Sequence, residues 1–533
     1  MTNSQSSLRI CTSAEMRAVD QIAEKELGIG PTLLMENAGR AATESILKEF
    51  PNAGIDSEIL IFAGKGNNAG DAFVVARHLM GLHRRIRVFH LLRGDEYKGA
   101  TIENFKILQK MKARLFYLEQ AQDLESFFDQ RGGPFLAIDG IIGTGLKGDL
   151  EGLFYDIVTL INEHVDQIVS LDIPTGVSGD SGLVQGVAVR ASLTISFGFP
   201  RLGHFLPPGA MYRGKLVNVD ISLPAKFKLE GDKFLLRAPF IATKLAQRDR
   251  YGHKNTFGHV LMLGGSQGRT GAIAMAAHAA LRSGSGLVTA GTWPDSIATL
   301  IQQLPNELMS VIVPKEEQLF EQYRRIMDQY SAVVVGPGMG NRPEGKRLVE
   351  MLLQNFQSPM VLDADALNII AEHDLHALCV NRKTPVVLTP HPGEMARLIK
   401  WSKEDVVRDP VGALKTCVEK THAVVLLKGA ATLLSSPEEV LYLNHFPNTG
   451  MATAGSGDVL AGMIGGLLAQ GTKVFDASCV AVFLHSLAGD LATRDSRPRG
   501  MTATDIISKI PAAYQELERL ANIPDEPRMA RLL

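Results

Sequence analysis

Four cysteines in 533 residues, at 11, 379, 417 and 479, are too few and too scattered to staple a fold. No two form a CxxC pair, so neither a disulfide framework nor a zinc site is expected. A charge surplus of either sign is missing as well. Lys and Arg number 55 against 57 Asp and Glu, whereas a protein that tracks a nucleic-acid backbone carries a basic excess to displace counterions. No stretch offers the roughly 20 uninterrupted apolar residues that a membrane span needs. The most apolar ones, 459–469 and 477–488, are short and broken by Gly, Ser or His. The opening MTNSQSSLRI lacks the charged and apolar regions of a signal peptide. These absences set the expectation of a cytoplasmic chain that binds neither nucleic acid nor membrane.

Glycine is what the chain has in excess. Its 51 residues are about a tenth of the total, against roughly 7% in ordinary usage. They gather at the ends of short apolar runs, where a backbone can turn tightly or approach a ligand.

Thr12 and Glu15 have the spacing of a capping box, and Met16, Val19, Ala23 and Leu27 share one helical face. Pro31 suits the first turn of a second helix. EILIFAG (58–64), IRVFHLL (86–92), PFLAIDG (134–140) and QIVSLDI (167–173) then alternate with helical stretches and read as buried parallel strands. The run HRRIR (83–87) reads as a solvated strand entrance. The series lapses over 223–250, which is charged and irregular, and a second series follows. HVLMLGG (259–265), GLVTAGT (286–292), AVVVGPG (332–338), MVLDADA (360–366), PVVLTPH (385–391) and AVVLLKG (423–429) read as strands, with VLYLNHF (440–446) closing a hairpin on ATLLSS. At about 150 residues per domain the length would suit three to four domains. The single break predicts two α/β domains instead, at 10–222 and 235–525, joined by a linker at 223–234.

In a parallel sheet, ligands bind beyond the carboxyl ends of the strands. In the first domain one such end is AGKGNNAGDAFVVARHL (63–79), with Gly64, Gly66 and Gly70 and a helix expected to start near Asp71. Free N–H groups at a helix start can cradle a phosphate. The spacing is not GxGxxG, and Asn67 and Asn68 add side-chain oxygens that a simple turn does not need. A second end is AIDGIIGTGLKGD (137–149), with Asp139 at the strand terminus. A third is LDIPTGVSGD (171–180), where Asp172 ends a strand and Thr175 lies in the turn. Converging carboxylates, an amide and a hydroxyl make an oxygen-rich pocket that suits a hard cation or proton transfer.

GKGNNAGD, DGIIGTGLKGD and DIPTGV, in that order behind an MENAGRA helix, resemble the NAD(P)H-hydrate epimerase domain, a Rossmann-like three-layer fold. The resemblance implies that Asn67, Asn68, Ala69, Gly70 and Asp71 bind a hydrated nicotinamide dinucleotide. Gly143, Thr144, Gly145, Leu146, Lys147, Gly148, Asp149 and Asp172 would complete that site. It further implies that Asn68, Asp139 and Thr175 hold a potassium ion and that Asp172 transfers the proton. The family usually shows NNGGDG, so Ala69 and Ala72 replace two glycines, and serine commonly stands where Thr175 does. At a position requiring positive φ, such a methyl group costs about 1 kcal/mol. A non-catalytic binding module is the alternative reading of this domain.

In the second domain Gly455-Ser456-Gly457-Asp458 precedes an apolar helix, so backbone N–H groups at its start form an anion hole beside a carboxylate. Lys428 stands at a strand end before a small-residue turn, and His391 sits between prolines at another. The stretches Gly265–Val288 and Gly336–Gly340 add two more glycine-rich strand ends. Asp363 and Asp365 could each orient a metal or cap the next helix. GSxGxxGA, GPGMG, TPHPGE, KGAAT and AGSGD, in this order, resemble the ribokinase-like fold and, within it, the ADP-dependent NAD(P)H-hydrate dehydratases. By that resemblance Ala272, Gly338, His391 and Asp458 contact the hydrated dinucleotide. Lys428, Gly429, Ala430, Ala431, Thr432 and Gly457 would hold ADP, with Mg²⁺, and Asp458 is the implied catalytic residue.

The two resemblances imply one pathway. The first domain would interconvert the R and S epimers of hydrated NADH or NADPH. The second would dehydrate the S form, consuming ADP and yielding AMP and phosphate. An ordinary small-molecule kinase is the alternative for the second domain, because AGSGD alone does not separate phosphorylation from phosphorylation followed by elimination. A homo-oligomer is expected from the apolar helices.

Overall fold

The computed structural model describes residues 7–146, 148–314, 327–438, 440–522 and 529–531. Two compact units meet in sequence at Gly231 and Asp232, one built on Arg9–Gly231 and the other on Asp232–Ile523.

The first unit is a sheet with helices on both faces. Its parallel strands lie in the order Lys215–Val219, Leu193–Phe197, Gln167–Leu171, Phe135–Gly140, Glu58–Ala63, Ile86–His90, Leu115–Tyr117. Met529–Arg531 pairs antiparallel beside Lys215–Val219. From Glu58–Ala63 the chain moves outward on one side, then returns to Phe135–Gly140 and moves outward on the other. The crevice beyond these two strands is therefore the topological switch point, where doubly wound sheets bind ligands. Both strands are apolar along their length because both faces are covered. Helix Ser13–Leu27 starts in the expected capping box of Thr12 and Glu15 and stops at Gly28, whose φ is 70°. Helix Pro31–Glu49 follows.

Several expectations are corrected. Leu193–Phe197 and Lys215–Val219 are strands that the apolar pattern concealed, because their buried positions include polar side chains with partners. Thr194 donates to the Arg213 carbonyl at 2.7 Å, and Asn218 donates to that of Gly198 at 2.9 Å. The expected linker 223–234 is structured. Leu223 and Phe227 are buried in the first unit's core, and Lys233–Leu235 is a strand paired with Leu441–Leu443 of the second unit's sheet. Charged neighbours masked those apolar anchors. In the HRRIR run His83 and Arg85 are exposed, but Arg87 is buried and bonded to Glu58 through two nitrogens at 3.3 Å.

The second unit repeats the logic at larger scale. Its strands run Lys233–Leu235, Leu441–His445, Ala431–Ser435, Val424–Leu427, Val386–Leu388, Met360–Leu362, Ala332–Val335, His259–Leu263, Leu287–Thr292, Met309–Ile312. Val424–Leu427 through Met309–Ile312 are parallel. Ala431–Ser435 pairs antiparallel with both its neighbours, forming the expected hairpin with Leu441–His445. The chain reverses its direction of travel across the sheet between His259–Leu263 and Ala332–Val335. Helix Val474–Gly500 is apolar and long enough to pass as a membrane span, but from Ala477 to Ala492 most of it is core.

Helix Ser456–Ala469 packs on helix Thr270–Arg282 through glycines rather than knobs. A Cβ on Gly462 would lie 2.0 Å from the Ala276 carbonyl oxygen and one on Gly466 2.7 Å from that of Ala280, while one on Gly465, facing the sheet, would lie 2.3 Å from Val334 Cγ2. No rotamer relieves an overlap with backbone. Gly462→Ala is therefore expected to destabilise the second unit by about 1–3 kcal/mol, despite the gain in helix propensity. A denaturation midpoint equal to or above that of the parent would refute this packing.

Candidate active sites

At the first unit's switch point, helix Asn67–Gly81 begins four residues earlier than expected, so Asn67, Asn68, Ala69, Gly70 and Asp71 all belong to its opening turns. Gly66, at φ 76°, makes the sharp entry that only glycine adopts without strain. Ala69 and Ala72 lie inside the helix, at ordinary negative φ, with their methyl groups buried. The backbone penalty that their departure from the family pattern suggested does not arise. A Cβ on Gly140 would sit 2.5 Å from the Ala72 methyl group, so the space is shared between that pair. A Cβ on Gly70 would lie 2.4 Å from Met35 Cε and 2.7 Å from Thr101 Oγ1, so packing requires a small residue there.

Asn67 is exposed, but Asn68 is only 6% exposed, and neither its Oδ1 nor its Nδ2 has a partner. Buried amides are ordinarily satisfied, so this pair of atoms awaits something. A Cβ on Gly143 would lie 3.2 Å from Asp172 Oδ2 and 3.4 Å from Asn68 Cγ, which puts these three residues together. Gly143, Thr144, Gly145 and Leu146 line a cleft of about 150 Å³ with Gly179 and Asp180. Gly148 and Asp149 are exposed beyond it, and Lys147 lies outside the described residues.

Asp172 occupies the left-handed region at φ 61°, which Asp tolerates better than most residues. Its carboxylate accepts from Arg201 Nη2 at 2.9 Å, and its carbonyl meets His204 Nε2 at 2.9 Å. His204 Nδ1 accepts from the Arg201 N–H, so the ring proton is on Nε2, which donates to Asp172. Burial and the adjacent guanidinium groups of Arg201 and Arg213 push the His204 pKa down to about 3, which keeps the ring neutral. Two more carboxyls feel Asp172. Burial, then Asp172, then Asp20 hold the Asp71 pKa well above the carboxylate range. Burial, offset in part by Arg201 and reinforced by Asp172, lifts Asp20 to about 6.

Asp139 is fully buried and accepts four hydrogen bonds, from Ile141 N, Ser170 Oγ, Thr175 N and Thr175 Oγ1. Thr175 Oγ1 is also bonded to the Ile142 backbone. Of the three expected cation ligands, Asn68 alone has open valence; Asp139 and Thr175 hold each other.

In the second unit the apolar helix begins at Ser456, directly at the glycine-rich run. Gly455 caps helix Ser456–Ala469 at φ 90°, and Asp458 lies in its first turn. Lys428 Nζ is 3.3 Å from where a Cβ on Gly457 would be. The same ammonium bonds Asp363 Oδ1 at 2.8 Å, and Thr389 Oγ1 donates to that oxygen at 2.7 Å. Asp365 instead accepts from the Gly340 N–H at 2.8 Å, tying down the Gly336–Gly340 loop. Gly338 and Ala272 are neighbours, since a Cβ on the first would lie 3.0 Å from the methyl of the second. Gly429 and Ala430 are exposed in the turn between strands Val424–Leu427 and Ala431–Ser435, and Ala431 and Thr432 open the second of these strands.

Asp458 is pushed up to about 7, chiefly by burial and then by Asp363, with Lys428 opposing and Asp365 and Glu394 reinforcing. A carboxyl poised there can take or return a proton near neutrality. His391 caps helix Pro392–Ile399 by accepting at Nδ1 from the Gly393 and Glu394 N–H groups. Burial, Lys428 and Arg397 lower its pKa, so the ring is neutral with its proton on Nε2. The cap is a structural duty, and Nε2 lies 3.4 Å from Glu394 Oε1, yet the side chain stays 53% exposed.

Comparison with known proteins matches both halves in order. Residues 31–203 match the family described as YjeF-related protein N-terminus, and 260–512 match NAD(P)H-hydrate dehydratase. A bifunctional NAD(P)H-hydrate repair enzyme of Moorella thermoacetica is 38% identical over 517 residues, covering 96% of this chain and 97% of that protein. The chain belongs to the bifunctional NAD(P)H-hydrate repair enzyme family. The family's member from Coxiella burnetii is 34% identical, over 92% of this chain and 96% of that one. Among solved structures, an ADP/ATP-dependent NAD(P)H-hydrate dehydratase from Bacillus subtilis, co-crystallized with ATP/Mg²⁺, is 27% identical with a TM-score of 0.46 over 52% of this chain and 97% of that one.

For an NAD(P)H-hydrate repair enzyme, sequence reasoning missed Asp20, Arg201 and His204. Arg201 and His204 follow strand Leu193–Phe197, so recognising that strand would have placed FGFPRLGH at one more carboxyl end of the sheet. Asp20 carried no signal, because it comes from a helix that precedes the sheet.

Proposed function

We propose that the first unit epimerises hydrated NAD(P)H through Asp172 and that the second dehydrates the S epimer through Asp458, with ADP as phosphoryl donor. The observation that carries this reading is the placing of Lys428, the Gly457 backbone and Asp458 around one anion hole.

Interconverting epimers requires a bond at the hydroxyl-bearing carbon to break and re-form while a proton moves. Asp172, oriented by Arg201, is the proton-transfer group, with Asp71 protonated beside it. Asn68 and Gly143 bound the space around the ring. Asn68, Asp139 and Thr175 would hold K⁺. Their oxygen donors suit a hard cation in kind, and the unpartnered Asn68 amide supports it, but Thr175 must turn from Asp139 to open the site.

In the second unit the ionised Asp458 takes the proton of the ring hydroxyl as its oxygen attacks the terminal phosphorus of ADP. AMP leaves with the electrons of the broken P–O bond. The N–H groups at the start of helix Ser456–Ala469 and the Lys428 ammonium stabilise the charge on the transferring group. The phosphate then departs with the C–O electrons, and loss of a neighbouring proton restores the ring double bond. Converting hydroxyl to phosphate improves the leaving group, which gives ADP its purpose. Mg²⁺ would neutralise charge on the nucleotide phosphates. Among the described residues no group of three or more His, Cys, Asp or Glu could hold a metal, so we assign it to the phosphates. His391 Nε2 is the donor offered to the dinucleotide. All four cysteines are buried and unbridged, which suits a cytoplasmic setting.

The test supplies mixed epimers of hydrated NADH with ADP and Mg²⁺, in K⁺ or in Na⁺, and follows dihydronicotinamide absorbance. Complete recovery in K⁺, and epimer exchange slowed in Na⁺, are expected. No recovery sinks the dehydratase reading, and recovery that halts at the S fraction sinks the epimerase reading. Equal exchange in both salts removes the potassium site.

A further inference from the structure

Three anions act on Lys428, namely Asp363, Glu394 and Asp458, and the lysine is the one attraction that opposes the burial and carboxylates raising Asp458. Asp363 stands one residue beyond strand Met360–Leu362 and is 1% exposed. Its Oδ1 receives both the Lys428 ammonium at 2.8 Å and the Thr389 hydroxyl at 2.7 Å. The Lys428 backbone is held too, its N–H donating to the Pro390 carbonyl at 2.9 Å. The lysine therefore arrives at Gly457 with both ends tethered. A lysine stem is flexible and its ammonium is a compact point charge, so without a tether it moves to the nearest anion.

We propose that Asp363 is the positioning residue of the second site: its buried carboxylate holds the Lys428 ammonium at the anion hole and off the Asp458 carboxylate. The inference rests on the dehydratase reading and deepens it. The charged groups facing Asp458 are Asp363, Asp365, Glu394 and Lys428. Of these Asp363 is the strongest repulsion and Lys428 the one attraction. Among the anions that act on Lys428, Asp363 ranks first, ahead of Glu394 and Asp458. Removing the Asp363 charge takes away the repulsion and releases the cation together. Both changes drive Asp458 the same way, toward a weaker base, while the nucleotide phosphates lose a fixed cation.

The test is a double-mutant cycle of Asp363→Asn and Lys428→Met in the full chain, with two readouts. The first is ADP binding by calorimetry, which needs no turnover. The second is the pH dependence of kcat for the S hydrate. Asp363→Asn is expected to weaken ADP at least tenfold when Lys428 is present and less than twofold when it is methionine. It is also expected to move the acid limb of kcat down by about one pH unit in the presence of Lys428. Equal loss of ADP affinity in both backgrounds, or an unmoved acid limb, overturns the proposal. If Asp363→Asn does not fold, as judged by its melting curve, Asp363→Glu takes its place. That variant keeps the charge, so the acid limb should stay and ADP affinity should fall only with Lys428 present; an equal fall in both backgrounds overturns the proposal. Absence of ADP-dependent recovery by the parent protein would refute the dehydratase reading instead, and the calorimetric cycle would still decide the role of Asp363.

Discussion

Asp458→Asn is expected to slow ADP-dependent dehydration by about 10²- to 10⁴-fold, the usual contribution of a positioned base, and to stabilise the second unit. Asparagine keeps the shape of the side chain, so the anion hole survives and ADP should still bind. The stability gain follows from the raised pKa. Asp458 titrates at about 7 in the folded chain against 3.8 ordinarily. Its folded form thus favours the proton, and ionising it at higher pH is a cost borne only by the native state. That cost is complete above about pH 7, fades as the pH falls and is gone below about pH 4, where the group is protonated in both states. Asparagine removes it, a gain on the order of 2–4 kcal/mol. Melting curves at pH 8 and pH 4 are the check, with several degrees of increase at the first and none at the second. An active variant would remove Asp458 as the base. An inactive one without the pH-dependent gain would show that the carboxyl is solvated in the folded chain.

Asp172→Asn should abolish epimerisation to a similar extent, about 10²- to 10⁴-fold, and leave dehydration of the pure S form within twofold. With mixed epimers, recovery should run quickly to the S fraction and then continue only at the spontaneous rate. Asparagine is the informative replacement because it tolerates the left-handed backbone at φ 61°. Asp172→Ala brings two structural penalties in addition. It strains that backbone, and it leaves Arg201, 3% exposed, without the side-chain oxygen acceptor that asparagine still offers. Leaving a buried donor unsatisfied costs about 1–3 kcal/mol, and more when it is charged. The first unit should therefore melt clearly lower for alanine than for asparagine. Fast complete recovery by Asp172→Asn would remove the residue from proton transfer, and equal melting of the two variants would contradict the buried pair.

The route from residues to sites was legible where the chemistry is local. Asn68, Asp172, Lys428, His391 and Asp458 all lie at strand or helix ends that hydrophobic runs and glycines mark. What the chain did not disclose depends on partners distant in sequence. Asp363 and Lys428, 65 positions apart, meet at 2.8 Å. Asp20 and Arg201 act on the Asp172 site from opposite ends of the first unit's chain. The glycines also divided into two kinds. Gly66 and Gly455 sit at helix starts with positive φ, whereas Gly70, Gly462 and Gly465 are small because another side chain or backbone fills the space.

Amino-acid order by itself determined two α/β units, their strand ends and the residue types gathered there, because periodicity, caps and turns are properties of neighbouring residues. The tertiary structure decided the rest. It placed Ala69 and Ala72 in relaxed helix, assigned Asp363 to Lys428 and Asp365 to Gly340, and lifted Asp458 toward neutrality. Each of those outcomes is set by burial and by charges brought in from elsewhere in the chain, and neither can be read from local order.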